Sequence, residues 1–172
     1  MGPADLGLPV SLHILTGKGG TGLGRGPFLM SYMALPHAAQ QSLTAMLTLG
    51  VFARHPNLKV VSVENDIGWI AHFLYRLEHA FEEFRYMLGY SDPESPMDYF
   101  RQNCYATFQD DPVGIQTTNF TGAEHLMWAS DYPHGDSTWP DSRKTIERNF
   151  QGVAPEVVRQ ITHDNVARLY DL

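Results

Sequence analysis

Four short apolar runs, each followed by a stretch patterned as helix or turn, constrain this chain more than any other feature. Val10-Ser11-Leu12-His13-Ile14-Leu15 lies between Pro9 and Gly17 and reads as a buried strand. Leu58 to Glu64 reads as a second strand, and its apolar residues are mostly β-branched. Asn103 to Phe108 reads as a third and His125 to Ser130 as a fourth. Residues 16–36 are rich in Gly and hold Pro27 and Pro36, so they read as a long loop. Ala38 to Ala53 reads as one helix, with Leu43, Met46, Leu47, Gly50 and Val51 at helical spacing. Ile67 to Leu88 is the clearest helix, with a stripe of Ile70, Phe73, Leu74, Leu77, Phe81, Phe84 and Leu88. Asp92 to Pro96 reads as a turn-rich break, and Asp111 to Asn119 as a short helix. Trp139-Pro140-Asp141 opens a helix to Phe150, and Ala154-Pro155-Glu156 a final helical segment, with Pro at the first turn. Strands alternating with helices predict an α/β fold on a parallel sheet.

Composition narrows the partners. The 172 residues suit one domain, and 43% hydrophobic with 12% aromatic residues suffice for a core. Twelve basic against nineteen acidic residues give −7, with no cluster of Lys and Arg. Neither nucleic acid nor an anionic membrane surface is expected as a partner. The single cysteine, Cys104, excludes a disulfide framework and any CxxC site. No apolar run is long enough for a membrane-spanning helix, and the first residues lack the pattern of a secretory leader. A reducing compartment, the cytoplasm, is the expected location.

Polar residues fall where these strands end. His13 lies near the end of the first, Glu64 ends the second, and Asp131 directly follows the fourth. Buried parallel strands are otherwise apolar, and their C-terminal ends carry the active sites of parallel α/β folds. Imidazole and carboxylate together suit a divalent metal, zinc first, with manganese or iron compatible. Plainer roles stay open for each: a hydrogen-bonded core histidine for His13, a helix cap for Glu64-Asn65-Asp66, and a turn for Asp131-Tyr132-Pro133-His134. His134, three residues beyond Asp131, has the side chain for acid–base work near neutral pH. Thr16 to Gly22 follows a strand like a phosphate-binding loop. It lacks the Lys-Ser or Lys-Thr that such a loop needs, and Leu23-Gly24-Arg25-Gly26-Pro27 cannot open the required helix.

Trp128-Ala129-Ser130-Asp131-Tyr132-Pro133-His134, followed by Asp136-Ser137-Thr138-Trp139-Pro140, resembles the last-strand motif of the amidohydrolase-related metal enzymes, in the aminocarboxymuconate-semialdehyde decarboxylase-like branch. Gly7 to His13 resembles that family's fifth-strand segment. Gly50 to Val61, then Glu64 and Gly68-Trp69-Ile70, resembles the sixth, and Asn165 to Tyr170 the closing helix. The resemblance implies a (β/α)₈ barrel of which residues 1–172 form a partial domain, the four C-terminal βα units. It implies a metal-dependent hydrolase or non-oxidative decarboxylase acting on a small carboxylated or cyclic organic substrate. His13 then matches a metal ligand, Asp131 a ligand or proton-handling neighbour, and Glu64 and His134 substrate contacts. Glu64 stands where the decarboxylases place a histidine. The His-x-His or Asp-x-His pair of the family's first strand has no counterpart, since no histidine here follows a His or Asp by two residues. A full barrel takes about 250 residues, so instability, aggregation, a homodimer or pairing with a separate N-terminal half is expected. The alternative is a non-catalytic remnant or association module.

Overall fold

The computed structural model describes residues 2–14, 27–90 and 94–172. Four parallel strands, β1 (Val10–His13), β2 (Val60–Val63), β3 (Cys104–Phe108) and β4 (Leu126–Trp128), lie in that order in one sheet. With their helices they form an α/β half-barrel. All four strands fall inside the predicted runs. Leu15, the Gly-rich loop Thr16–Gly22, and Asp92 of the predicted break lie outside the described residues.

The register assigns each strand residue to a face. Val10 pairs with Val60 and Val60 with Cys104; Leu12 pairs with Ser62, Ser62 with Ala106, and Ala106 with Leu126. Because side chains alternate along a strand, these residues, with Phe108 and Trp128, share the face that meets the helices. Val60, Cys104, Ala106, Phe108 and Leu126 form one buried cluster there with Leu43, Leu47, Phe52, Ile70, Leu74 and Ile161. Ser11, His13, Val61, Val63, Tyr105, Thr107 and Met127 occupy the opposite, inner face.

The helices depart from the sequence reading in instructive ways. The predicted loop 16–36 contains α1 (Phe28–Met33), which buries none of its residues. The predicted helix over 38–53 is two, α2 (Pro36–Thr48) and α3 (Val51–Arg54), because Gly50 turns left-handed at φ 68°. Helix α4 (Ile70–Leu88) buries Ile70, Leu74 and Phe81 as its stripe predicts, but Phe84 stays exposed. The Leu88 side chain lies outside the described set. The break before β3 closes into a helix that the sequence reading missed, α5 (Pro96–Asn103). Ser95 Oγ accepts from the Asp98 amide at 3.2 Å, and Asp98 Oδ2 accepts from the Ser95 amide at 3.4 Å, a capping box readable as Ser-x-x-Asp. The predicted short helix after β3 divides into α6 (Pro112–Gln116) and α7 (Thr118–Thr121), and α8 (Ser142–Asn149) follows β4.

The final segment runs through α9 (Pro155–Arg159), a π-helical turn over Gln160–Asp164, and α10 (Asn165–Tyr170). It delivers the fully buried Asn165, whose Nδ2 donates to the Ala123 and Leu126 carbonyls at 2.7 Å each. Among the described residues no helix is long and apolar enough to cross a membrane.

One buried carboxylate ties the segments that leave β2 and β3. Asp111 Oδ2 accepts from the amides of Ile67 at 2.8 Å and Gly68 at 2.5 Å, and Oδ1 from that of Gly114 at 2.8 Å. It therefore caps α6 and anchors the approach to α4. The tie demands close contact: a Cβ at Gly114 would lie 2.2 Å from Ile67 Cγ1, and one at Gly68 2.9 Å from Asp111 Oδ1. Asp66, held left-handed at φ 51°, sits beside this junction. Its carboxyl is pushed up to about 6, first by burial and then by the Asp111 charge, while the Gln109 amide opposes the shift.

Two predictions follow from this junction. Asp111→Ala leaves three amide donors without their acceptor and lowers stability by roughly 3 kcal/mol in urea unfolding. For Asp66 the folded-state pKa exceeds the unfolded one, so the native protein binds its proton more tightly. Its contribution is fully present below pH about 4 and is lost as pH rises through about 6. Asp66→Asn, which suits a left-handed residue, melts with the parent at pH 4 and roughly 3 °C above it at pH 7.5.

Candidate active site at the ends of the strands

The C-terminal ends of the strands carry the singled-out residues in two contacts. His13, the last residue of β1, places Nε2 2.8 Å from Glu64 Oε1. Its Nδ1 donates to the Ile14 carbonyl at 2.9 Å. Both ring nitrogens thus face acceptors, an arrangement that a doubly protonated imidazolium satisfies. The pKa of His13 is accordingly raised, through the Ile14 carbonyl first, with Glu64 and the more distant Asp131 adding to it against partial burial. Glu64 follows β2 in a left-handed conformation at φ 59°. Its amide donates to Thr107 Oγ1 at 3.2 Å, so the inner face of β3 holds it there. A non-glycine residue pays about 1 kcal/mol or more for this backbone, and such residues concentrate at working sites.

Asp131 is the second left-handed carboxylate, at φ 59°. Its side chain is 13% exposed and its Oδ2 lies 2.9 Å from His134 Nδ1. That bond leaves the His134 Nε2 directed away from Asp131 on a side chain 68% exposed. The turn that carries both is closed by four bonds. His134 N donates to Asp131 O at 2.8 Å, Ser137 N to His134 O at 3.1 Å, Thr138 N to Ser130 O at 3.1 Å, and Ser137 Oγ to Ser130 O at 2.8 Å. Asp136, in the same turn, accepts from the Tyr32 hydroxyl of α1 at 2.7 Å. His125, by contrast, is buried against the rings of Phe100 and Tyr105 and bonded to the Cys104 carbonyl, an ordinary core histidine as its sequence context indicates.

The four residues therefore form two pairs on opposite edges of the sheet, with the Asp131 charge acting on His13. They do not form one cluster: among the described residues no group of three or more His, Cys, Asp or Glu is placed to hold a metal ion. His13 and Asp131 have the right donor chemistry, yet a catalytic zinc takes three protein ligands, and Nε2 of His13 is turned to Glu64. Among the described residues no complete metal site is formed. The sequence reading gave no role to Tyr32, which lies in its predicted loop, or to Asp136, which it quotes only within the last-strand motif.

The fold is shared with solved enzymes. An amidohydrolase from Mycobacterium avium subsp. paratuberculosis K-10 is 26% identical with a TM-score of 0.78, over 97% of this chain and 42% of that one. A 5-carboxyvanillate decarboxylase from Sphingomonas paucimobilis is 20% identical with a TM-score of 0.82, over 98% of this chain and 51% of that one. A dihydroxybenzoic acid decarboxylase from Polaromonas sp. JS666, solved with manganese and 2-nitroresorcinol, is 16% identical with a TM-score of 0.74, over 99% of this chain and 52% of that one. The chain thus spans about half the length of the structures it matches. The amidohydrolase family model matches residues 4–172, nearly every position, so the chain belongs to the amidohydrolase family.

Proposed function

We propose that residues 1–172 act as the C-terminal half of a metal-dependent hydrolase or non-oxidative decarboxylase for a small carboxylated or cyclic organic substrate. The observation that carries this reading is the pairing of His13 with Glu64 and of Asp131 with His134 at the C-terminal ends of strands in an amidohydrolase half-barrel. The decarboxylases of similar fold, whose named substrates are carboxylated aromatics, and the manganese in one of them support the substrate class and a divalent ion. In the complete barrel His13 and Asp131 would be ligands, with zinc first and manganese or iron compatible. The ion, when bound, would polarise the substrate or activate water.

Both reactions require one proton to be moved. Hydrolysis takes it from water; decarboxylation delivers it to the carbon that has lost its carboxylate. Asp131 holds His134 by Nδ1 and leaves Nε2 for that transfer. Glu64, fixed by Thr107, is a substrate contact once His13 Nε2 turns to other partners. The remaining ligands come from an N-terminal half, in frame with this one or separate from it. Pairing with it, or with a second copy, also covers the inner face and the outer edges of β1 and β4. A second reading, an association module or non-catalytic remnant, draws on the lack of a three-residue metal cluster among the described residues.

Elemental analysis tests the first reading. We expect well under one ion per chain for the protein alone, and about one once a segment bearing His-x-His completes the barrel. Asp131→Ala should release that ion and lower kcat by about a thousandfold or more; retained metal with unchanged kcat would refute the role of Asp131. On a sizing column the chain alone should run as a dimer or aggregate, and a monodisperse monomer with a sharp melting transition would remove the need for a partner.

A further inference from the structure

We propose that Tyr32 is a positioning residue that ties the Asp131–His134 turn to α1. This rests on the reading of Asp131 and His134 as working groups. Strands β1 and β4 are opposite edges of the sheet, so the segments that follow them are joined through four strands of backbone. The Tyr32 hydroxyl spans them directly, donating to Asp136 Oδ2 at 2.7 Å across 104 positions of sequence.

Tyr32 stands on α1, an exposed helix. None of its residues is buried, and Phe28, Leu29, Met30 and Met33 are each more than 60% exposed. Core packing thus does not account for its placement. A hydrogen bond to a carboxylate is stronger than a neutral one. The Asp136 bond pushes the Tyr32 phenol up to about 12, with burial adding to it, so the hydroxyl remains a donor throughout the neutral range.

At the other end, Asp136 is one residue from Ser137 and two from His134, inside the turn closed by Ser130, Asp131, His134, Ser137 and Thr138. That turn is short and fully bonded, so displacement at Asp136 reaches the Asp131–His134 pair. The consequence is that α1 and the turn bearing Asp131 and His134 move together.

Amide hydrogen exchange tests the proposal without turnover. In Tyr32→Phe, and separately in Asp136→Asn, the His134 and Thr138 amides should exchange about fivefold faster, as expected for loss of one hydrogen bond. The His134 imidazole resonances, assigned through His134→Gln, should shift, and the double variant should add nothing to either single one. Leu29→Ala, on the same helix, should leave all of these in place. Faster exchange confined to Ala34 and Leu35 at the end of α1, with the turn unchanged, would show that Tyr32 only anchors its own helix and would overturn the proposal. Failure of the functional reading shows elsewhere, as turnover that survives Asp131→Ala.

Discussion

A carboxylate buried among backbone amides must be held in place by all of them, and Asp111 shows what that does for a half-barrel. Its two oxygens take three amides from two segments that leave neighbouring strands. Ile67, Gly68 and Gly114 can approach it only because two of them lack a side chain. The path from Glu64 to α4 starts from this point, so the left-handed turn at Glu64 is braced on one side by Asp111 and on the other by Thr107. In a sheet with two free edges such lateral ties carry load that a closed barrel would distribute around its circumference.

The site differs in kind from the core beneath it. The core is apolar and contiguous on the helix side of the sheet. The strand ends gather Glu64, Asp66, Asp111, Asp131 and Asp136, and burial, with the Asp111 charge adding to it, keeps the Asp66 proton to about pH 6. His13 lies in this field between Glu64 and the Ile14 carbonyl, which together raise its pKa. The strand ends of this half therefore attract cations more than anions.

Strand positions were legible because β-branched runs between Pro, Gly and Asn leave few alternatives, and the positions of His13, Glu64 and Asp131 followed from them. Helix boundaries were less so. Gly50 ends one helix and begins another through a backbone angle that apolar spacing does not encode. Helix α5 was announced by Ser95 and Asp98 but hidden among turn-forming residues. The pairing of His13 with Glu64 depends on strand register, and that of Tyr32 with Asp136 on chain closure over 104 residues, so neither had a local signal. His134 with Asp131 did, at a spacing of three residues.

The π-helical turn at Gln160–Asp164 decides where the closing segment tolerates a change in length. A turn of this kind holds one residue more than an α-helical turn. Five residues wound as a π-turn sweep nearly the same angle as four wound as an α-helix, so losing one residue there restores regular winding and leaves Asn165 close to its present face, whereas losing one from α9 rotates all that follows by about 100°. Asn165 would then swing off the Ala123 and Leu126 carbonyls that it caps. The last strand is three residues long and depends on that cap from outside the sheet. The spacing between the final strand and the closing helix is thus a fixed gauge outside this turn, while the turn itself can give up a residue.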